Sequence, residues 1–342
     1  MLAIVADDLT GALDAAAPFA GRGLHTEVAL TPDAVAEAAS GRPGVLSINA
    51  GSREVSAEAA RRATAAVLAA LPPGTRLFKK IDSRLKGNIV AELDATPFRA
   101  AMVVPAIPEF GRIVNAGYLQ GFGVETPLSV AGALGPHAGR AMIPDVAARE
   151  EMDRWLDAAE EKGVDLLIGA RGLAEALAAR MSGRAAAQPA EIPEGPGLFV
   201  IGSRDPITLA QIDALRAAVE PRYLPAPNGR LADVAPDESP ITLVQAVPGR
   251  EPAAAGQVSD ALAESVFPRL TVRAATLLLS GGATAEAVLQ RMGITRFRLA
   301  GECLPGLGLA HARGHCIIAK SGGFGGPETL RVIADRILRK MG

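Results

Sequence analysis

Short apolar runs alternate with alanine-rich amphipathic stretches along most of the chain. The stretches, such as 56–72 and 150–163, carry apolar residues at helical spacing. The runs are rich in aliphatic residues, as strands buried on both faces are, and they lie at 2–7, 26–30, 44–50, 76–82, 101–106 and 165–170. Strands that alternate with helices predict mostly parallel sheets covered by helices, so the predicted fold class is α/β.

The pattern is interrupted and then restarts. Residues 181–197 combine proline, glycine and small residues without apolar periodicity, which is typical of a linker. Residues 225–256 are rich in proline, alanine and glycine and predict a loop with one strand. A further helix is predicted at 208–220, and further strands are predicted at 198–203, 241–247, 276–282 and 316–323. We therefore predict two α/β domains, residues 1–185 and 196–342, with a ligand cleft between them.

Composition narrows the classes of function. Charged residues make up 21% of the chain and the formal net charge is −2, so nucleic acid is not an expected partner. No apolar run reaches the roughly 18–20 residues of a membrane-spanning helix, so a membrane is not expected either. The start of the chain lacks the basic region of a signal peptide and places Asp7 and Asp8 where its apolar core would lie. Two cysteines cannot form a disulfide framework, and together these features predict a cytoplasmic protein.

Histidine and cysteine come closest together at His311, His315 and Cys316. These residue types bind zinc, but no fourth ligand is spaced nearby. The preferred interpretation is a loop that leads into the strand at 316, and no metal site is predicted.

Polar residues follow two of the N-terminal strands. Asp7 and Asp8 come after the first one, where paired acids bind sugar hydroxyls, hold a metal or accept a proton, unless one of them only caps the next helix. Residues 79–88 read KKIDSRLKGN and gather cationic side chains around Asp82 and Ser83, which suits a carboxylate or phosphate. The alternative is a solvated run of surface charge, but an apolar strand precedes the loop and a glycine follows.

Glycine-rich loops follow strands in the C-terminal half. Residues 280–285 read SGGATA and open a helix, residues 320–326 read KSGGFGG, and Gly202-Ser203 ends another apolar run. Backbone N–H groups at such places bind phosphate, although each loop alone could be a tight turn. The chain has neither a P-loop nor a dinucleotide-binding fingerprint. A polar site in one domain and an anion site in the other predict a phosphoryl transferase.

The motif set resembles the four-carbon acid sugar kinase family. The resemblance implies a two-domain kinase that uses ATP to phosphorylate the terminal hydroxyl of threonate, erythronate or 3-oxo-tetronate. It places the acid sugar on the N-terminal domain and ATP on the C-terminal domain. The matching segments occur in the family's order at 4–16, 78–93, 103–119, 168–177, 201–212, 279–294, 301–310 and 317–325.

The same motifs imply site residues. In the kinase hypothesis, Asp8 or Asp82 is the base that orients the hydroxyl, and Mg²⁺ is expected with ATP, without an identified ligand set. The implied acid-sugar contacts are Asp7, Asp8, Lys80, Ser83, Arg84, Lys86, Gly87 and Arg112. The implied ATP contacts are Ser203, Gly281, Gly282, Ala283, Thr284, Gly322 and Gly323, of which Gly323 is the favoured residue of its loop.

The sequence is also compatible with two other functions. The chain departs from the family's pattern at Arg204-Asp205, Arg84 and Lys86, which motivates a nucleotide- or metabolite-sensing protein that has lost transfer activity. An NAD-dependent oxidoreductase suits the fold class but lacks the fingerprint. The oligomeric state is open, with a homodimer among the assemblies that the sequence allows.

Overall fold

A computed structural model describes residues 1–232, 234–235 and 238–341. The chain divides into two compact units, Met1–Gln188 and Pro189–Gly342, called here the N-terminal and C-terminal units. Within the described residues, no helix is both long enough and apolar enough to cross a membrane.

The N-terminal unit alternates strands with helices. Its strands are β1 (Leu2–Ala6), β2 (Thr26–Ala29), β3 (Val45–Asn49), β4 (Arg76–Lys80), β5 (Ala101–Val104), β6 (Arg112–Asn115), β7 (Tyr118–Gly121), β8 (Val124–Ser129), β9 (Ala141–Met142) and β10 (Leu166–Gly169). Its α-helices are α1 (Leu9–Ala20), α2 (Val35–Ser40), α3 (Ala57–Ala70), α4 (Ile89–Ala95), α5 (Val130–Leu134), α6 (Arg149–Glu161) and α7 (Arg171–Ser182).

A parallel sheet forms the centre of this unit. The strands follow the order β2-β3-β1-β4-β10-β5-β9, and each neighbouring pair is parallel. Side chains such as Val5, Leu46 and Ile48 are buried between this sheet and its helices. Because β1 lies between β3 and β4, the strand order reverses beside it, which is where open α/β sheets bind ligands.

The C-terminal unit repeats this plan and adds an antiparallel edge. Its strands are β11 (Gly197–Ile201), β12 (Arg222–Pro227), β13 (Ile241–Val247), β14 (Thr276–Ser280), β15 (Arg296–Leu304), β16 (Leu307–Ala312) and β17 (His315–Lys320). Its α-helices are α8 (Pro206–Val219), α9 (Ala255–Val266), α10 (Gly282–Arg291) and α11 (Thr329–Met341).

The sheet of the C-terminal unit follows the order β12-β13-β11-β14-β17-β16-β15. The pairs from β12 to β17 are parallel, whereas β16 pairs antiparallel with both β17 and β15. One face packs Phe199, Leu278 and Ile318 against α8 and α11 residues such as Leu215 and Ile333. The strand order reverses beside β11, so each unit has its own switch point.

The predicted α/β class is confirmed, and most predicted elements lie within a few residues of the observed ones. The predicted strand at 241–247 is β13, and the predicted helix at 208–220 is α8. Of the predicted loop at 225–256, residues 233, 236 and 237 lie outside the described residues, and the rest contains β13 and the end of β12.

Two antiparallel regions were not predicted. The strands β6, β7 and β8 form a small antiparallel sheet in the N-terminal unit. The interpretation of 311–315 as a loop before a strand holds only for the turn at 313–314, because His311 lies in β16 and pairs with Cys316, and His315 begins β17. The aliphatic signal is weak in both places because polar residues and glycines interrupt the strands.

Candidate functional site

The strand ends at the switch point of the N-terminal unit bring three polar segments together. In the sheet register Ala6 stands beside Asn49 of β3 and beside Lys80 of β4. The segments that follow are Asp7-Asp8, the loop 50–55 and the loop 81–88. Backbone N–H groups of Ser52 and Arg53 donate to the carbonyl oxygen of Asp7, at 2.9 and 3.1 Å, so the second segment is fixed against the first.

Arg53 is the centre of this cluster. Its Nε and Nη2 donate to the two carboxylate oxygens of Asp7, both at 2.8 Å, in the bidentate geometry that suits a guanidinium. Its Nη1 lies 2.9 Å from Asp8 Oδ2 and 3.4 Å from Asp82 Oδ2. We call Arg53, Asp7, Asp8 and Asp82 the carboxylate cluster.

Arg53 was missed from the sequence, because GSRE after the third apolar run carries no motif of its own. Its position relative to the predicted strands is the signal that could have identified it. It follows the end of a strand that a parallel sheet sets beside β1, as Asp7 and Asp8 also do.

The pKa values of the two neighbouring aspartates, Asp7 and Asp8, shift in opposite directions. Burial raises the pKa of Asp7, but hydrogen bonds from Arg53 and the charges of Lys79 and Lys80 outweigh it, so its pKa lies below the ordinary value. Burial also raises the pKa of Asp8, and the charge of Asp7 adds to the rise, so the pKa of Asp8 lies above the ordinary value although Arg53 opposes the shift. Asp7 is therefore a fixed anion, whereas Asp8 is the more basic carboxylate.

The helix-capping role weighed for this pair belongs to Asp8. Its Oδ1 accepts a hydrogen bond from the backbone N–H of Gly11 at 2.6 Å, and its Oδ2 accepts one from the Thr10 hydroxyl at 3.1 Å. A Cβ on Gly11 would lie 3.3 Å from Lys80 Nζ and 3.7 Å from Asp7 Oδ1. The absence of a side chain at Gly11 lets the lysine and both carboxylates converge there.

The lysines of the KKIDSRLKGN loop have separate environments. Lys80 is buried with its Nζ 2.9 Å from the carbonyl oxygen of Ile81, at the side of the carboxylate cluster. The prediction that Lys79 is a cationic donor of this loop is wrong. Its side chain is 1% exposed and pairs with the equally buried Glu92 at 3.0 Å, because alternate residues of β4 point to opposite faces of the sheet.

The loop after β4 is folded by its own aspartate. Asp82 Oδ1 accepts from the backbone N–H of Arg84 at 2.8 Å and of Lys86 at 3.4 Å. Both of those cationic residues are exposed. Gly87 has φ +92°, and a Cβ there would lie 3.0 Å from Asp7 Oδ2. The loop therefore closes over the carboxylate cluster.

Arg112 joins this loop from the small antiparallel sheet. Its Nη1 donates to the Ser83 hydroxyl at 2.6 Å, and its Nε and Nη2 donate to the carbonyl oxygen of Phe122. Burial lowers the pKa of Arg112, and the nearby charge of Arg84 lowers it further. Two guanidinium groups that repel each other beside a hydroxyl have the chemistry that can bind an anion.

The glycine loops of the C-terminal unit also come together. Ser280 at the end of β14 stands beside Ile201 of β11 and Lys320 of β17. Beyond it, Gly202 and Ser203 donate to the carbonyl oxygen of Ser280 at 3.0 and 3.2 Å. We call the loops 202–205, 280–284 and 320–326 the glycine loops.

Several glycines are needed for these loops to approach. A Cβ on Gly202 would overlap Thr284 Oγ1, and a Cβ on Gly322 would overlap Ser203 Oγ. Gly281 has φ +105° and precedes the first turn of α10, which contains Gly282, Ala283 and Thr284. The structure thus brings the implied ATP contacts of all the loops together, with the positive end of α10 among them.

Lys320 lies beneath the last glycine loop and was not among the implied contacts. It is 0% exposed, and its Nζ donates to Thr208 Oγ1 at 3.1 Å and to the carbonyl oxygens of Ser321 and Gly322 at 2.9 and 3.1 Å. Burial lowers its pKa to about 8, against the charge of Asp205. Because these carbonyl groups are drawn toward the ammonium, they do not face a ligand above the loop.

Asp205, one of the departures from the family's pattern, has a local structural role. Its Oδ1 accepts from the backbone N–H of Ile207 at 2.9 Å and so caps α8. A Cβ on Gly323 would lie 3.1 Å from the other oxygen, Oδ2. A carboxylate oxygen therefore stands directly beside the glycine loops.

No group of three or more histidine, cysteine or acidic residues is placed to hold a metal ion within the described part of the chain. Of the residues weighed for zinc, His315 contacts the carbonyl oxygen of Ala274 at 2.8 Å through its Nδ1. Cys316 is buried, and burial raises its pKa to about 12, far from the thiolate that zinc binds.

Two family models match separate parts of the chain. A model described as a sugar-binding N-terminal domain matches residues 2–133, and one described as a nucleotide-binding C-terminal domain matches residues 234–330. A D-threonate kinase of Cupriavidus necator is 29% identical, with 96% of this chain and 95% of that protein covered. A 3-oxo-tetronate kinase of the same organism is 27% identical, with 100% and 97% covered.

The chain belongs to the four-carbon acid sugar kinase family. These relatives are named as kinases, and the chain is accordingly a phosphotransferase that acts on an alcohol group. A D-erythronate kinase of Heliobacterium modesticaldum is 41% identical over a shorter region, 34% of this chain and 28% of that protein. A solved structure from Haemophilus influenzae shares the fold, with a TM-score of 0.71 and 19% identity over 98% of this chain and 100% of that chain.

Proposed function

We propose that this member of the family uses ATP to phosphorylate the terminal hydroxyl of a four-carbon acid sugar, namely threonate, erythronate or 3-oxo-tetronate. The observation that carries the proposal is the contrast between the polar residues that follow the strands of the N-terminal unit and those that follow the strands of the C-terminal unit. The carboxylate cluster offers charged partners for hydroxyl groups, and the glycine loops offer backbone N–H groups for phosphates.

On the acid-sugar side, the surroundings of each residue suit it to one role in binding. Arg112 and Arg84, with the Ser83 hydroxyl, bind the substrate carboxylate. Lys80, Lys86 and Gly87 complete this side, and Asp7 holds Arg53 in place as a fixed anion. The hydroxyl groups of the acid then lie on the carboxylate cluster.

Asp8 is the base in this proposal. Its pKa is raised, which brings a carboxyl group closer to the proton affinity that general-base catalysis requires. The Oδ1 atoms of Asp8 and of the alternative base, Asp82, both accept hydrogen bonds from backbone N–H groups, so these bonds do not distinguish the two residues. The raised pKa of Asp8 makes its carboxylate the favoured acceptor for the proton of the attacking hydroxyl.

On the nucleotide side, Ser203, the first turn of α10 and the Gly322-Gly323 pair bind the phosphates. Mg²⁺ commonly keeps several waters and binds through one or two carboxylates and the nucleotide phosphates. Asp205, whose Oδ2 lies beside Gly323, fits that need and would hold the ion. When bound there, the ion neutralises charge on the transferred phosphoryl group.

The direct test measures ATP consumption by the purified protein with a panel of four-carbon aldonates and oxo-tetronates. We expect turnover with one or a few of them and a product whose terminal carbon couples to phosphorus in NMR spectra. Nucleotide binding without turnover on any member would overturn the proposal and favour the sensing protein instead.

The variants Asp8→Asn and Asp82→Asn then separate the two bases. General-base catalysis contributes about 10²–10⁴-fold, so Asp8→Asn should lower kcat by at least about 10²-fold while the KM for ATP stays close to that of the wild type. Asn still caps a helix, so the fold is retained. If Asp82→Asn causes the larger loss of kcat, the assignment of Asp8 as the base is wrong.

The cytoplasmic location and a homodimer also stay predictions for this chain. Sedimentation of the purified protein would decide the second of them. A monomer at micromolar concentration would contradict it.

A further inference from the structure

Asn88 is the last residue of the KKIDSRLKGN loop and is not among the proposed acid-sugar contacts. It stands directly before α4, at the position where asparagine commonly caps a helix. Within the described chain, its side chain makes no capping hydrogen bond to α4 and reaches the loop 50–55 instead. The amide of this residue therefore serves the neighbouring loop and not its own helix.

The Asn88 amide holds the backbone of that loop on both sides of Arg53. Its Nδ2 donates to the carbonyl oxygen of Ser52 at 2.8 Å and to that of Val55 at 3.0 Å. The carbonyl oxygen of Arg53 lies 3.4 Å from the same nitrogen. Because three carbonyl oxygens face one NH₂ group, only a hydrogen-bond donor fits at this position.

The same loop is held at two further points. The Ser52 hydroxyl donates to the buried carboxylate of Glu92, which lies one turn after Asn88 on α4. The backbone N–H groups of Ser52 and Arg53 donate to the carbonyl oxygen of Asp7. The start of α4 and the end of β1 together fix the backbone from which the Arg53 side chain extends.

A fixed backbone matters here because the Arg53 side chain is long and has three carboxylate partners. It contacts Asp7 in bidentate geometry and lies 2.9 Å from Asp8 and 3.4 Å from Asp82, which belongs to the KKIDSRLKGN loop. A flexible side chain loses conformational entropy on meeting all three, and holding its backbone in place limits that loss. Burial raises the pKa of Asp8, and the charge of Arg53 opposes that rise.

We propose that Asn88 is a positioning residue that holds Arg53 against Asp8. The proposal rests on the proposed function, because Asp8 is the base of that reaction. Asn88 acts through Arg53, since its Nδ2 faces backbone carbonyl oxygens. Removing the amide should therefore lower kcat and leave the KM for ATP unchanged, because the proposed ATP contacts belong to the C-terminal unit.

Two variants of Asn88 test this role. Asn88→Ala removes the donor, and we expect a loss of kcat of about tenfold, since small displacements of a catalytic group are costly. Asn88→Asp keeps the size of the side chain but places carboxylate oxygens against the carbonyl groups, so its loss of kcat should be larger. Asn115→Ala, at an exposed position of β6 in the same unit, is the matched control and should change neither kcat nor either KM.

The pH profile of kcat distinguishes positioning from a merely structural role. Asp7, Arg53 and Lys80 are the charged groups that act on Asp8, and Asp82 shares Arg53 with it. When Arg53 moves away, the pKa of Asp8 should rise further, so the acidic limb of the profile should move to higher pH by at least about 0.5 pH unit in the neutral variant. A residue that only stabilises the fold would lower Tm and leave this limb in place.

Hydrogen–deuterium exchange read by mass spectrometry gives a measurement that needs no activity. In Asn88→Ala, peptides covering 50–55 should exchange at least about tenfold faster, whereas those of the C-terminal unit should not change. Unchanged exchange at 50–55, or an unmoved acidic limb, overturns the proposal and leaves the kinase intact. Faster exchange at 50–55, in a protein whose wild type transfers no phosphate to any four-carbon acid, supports the hold on Arg53 and overturns the proposed function.

Discussion

The two units handle buried positive charge at their switch points in opposite ways. In the N-terminal unit, Arg53 contacts the carboxylates of Asp7, Asp8 and Asp82, and Lys79 pairs with Glu92. In the C-terminal unit, Lys320 contacts neutral oxygens of a hydroxyl group and two backbone carbonyls. Parallel sheets of the same class therefore place a cation among carboxylates in one unit and a cation among neutral oxygens in the other.

This difference fits the two kinds of ligand that the proposed function requires. A cation matched by carboxylates contributes little net attraction for anions, but it leaves hydrogen-bonding groups for neutral hydroxyls. A buried ammonium beside backbone N–H groups and the start of a helix attracts phosphate. Removing each cation in turn tests whether the contrast is real.

Arg53→Met should have the largest effect, because it removes the shared partner of the carboxylate cluster. Asp7 is 2% exposed, and leaving a buried charge without its partner costs about 3–5 kcal/mol of the free energy of unfolding. We expect at least about a 10³-fold loss of kcat/KM, measured with the aldonate that the panel identifies. Arg53→Lys keeps the charge but not the bidentate contact and should recover part of the stability but little of the activity.

Should Arg53→Met retain the wild-type free energy of unfolding, the carboxylate cluster would not be held together by this arginine. The contrast between the cations of the two units would then not hold for Arg53. Urea unfolding followed by the fluorescence of Trp155, which lies in the N-terminal unit, provides the measurement.

Lys79→Met should have the next largest effect, on stability alone. It leaves Glu92 buried and unpaired, which we expect to lower the free energy of unfolding by about 3–5 kcal/mol. The double variant Lys79→Met/Glu92→Leu removes both charges and should recover most of that loss. If the single variant lowered kcat/KM without destabilising the protein, Lys79 would belong to the site after all.

Lys320→Met should have the smallest effect on stability, and it should weaken the binding of the nucleotide selectively. The carbonyl groups of Ser321 and Gly322 lose their donor, and we expect the KM for ATP to rise about tenfold, the KM for the acid sugar staying unchanged. Equal increases in both KM values would contradict a role confined to the glycine loops.

The pH dependence of stability gives a second measurement on the same variant. The folded pKa of Lys320, about 8, lies below the unfolded value of 10.5, so the unfolded chain binds more protons between these values. The free energy of unfolding should therefore gain up to about 1.4 kcal/mol per pH unit from this group as the pH rises above 8. The cysteines Cys303 and Cys316 act in the opposite direction above pH 9, but they cancel when Lys320→Met is compared with the wild type.

Much of the fold could be predicted from the sequence, for a physical reason. Strands buried on both faces have continuous runs of mostly apolar residues in the sequence, and β1, β11 and β14 are such strands. Strands such as β7 and β15 have exposed residues and a glycine each, so their pattern does not differ from that of a loop.

The candidate site could be predicted where a motif is contiguous and not where the fold assembles it. Asp8 and the glycine loops stand out along the chain, but Arg53 reaches Asp7 from a loop more than forty residues away. Lys79 and Lys80 are adjacent and of similar chemistry, and the alternation of β4 decides that one pairs with Glu92 and the other lies beside the carboxylate cluster.

The placement of the cysteines has a practical consequence for studying the two units separately. Cys303 and Cys316 both belong to the C-terminal unit, and burial raises the pKa of each thiol to about 12. Alkylating reagents attack the thiolate, so labelling should be slow until that unit opens. Pulse alkylation read by mass spectrometry would then follow the opening of the C-terminal unit, and Trp155 fluorescence that of the N-terminal unit, in a single unmodified protein.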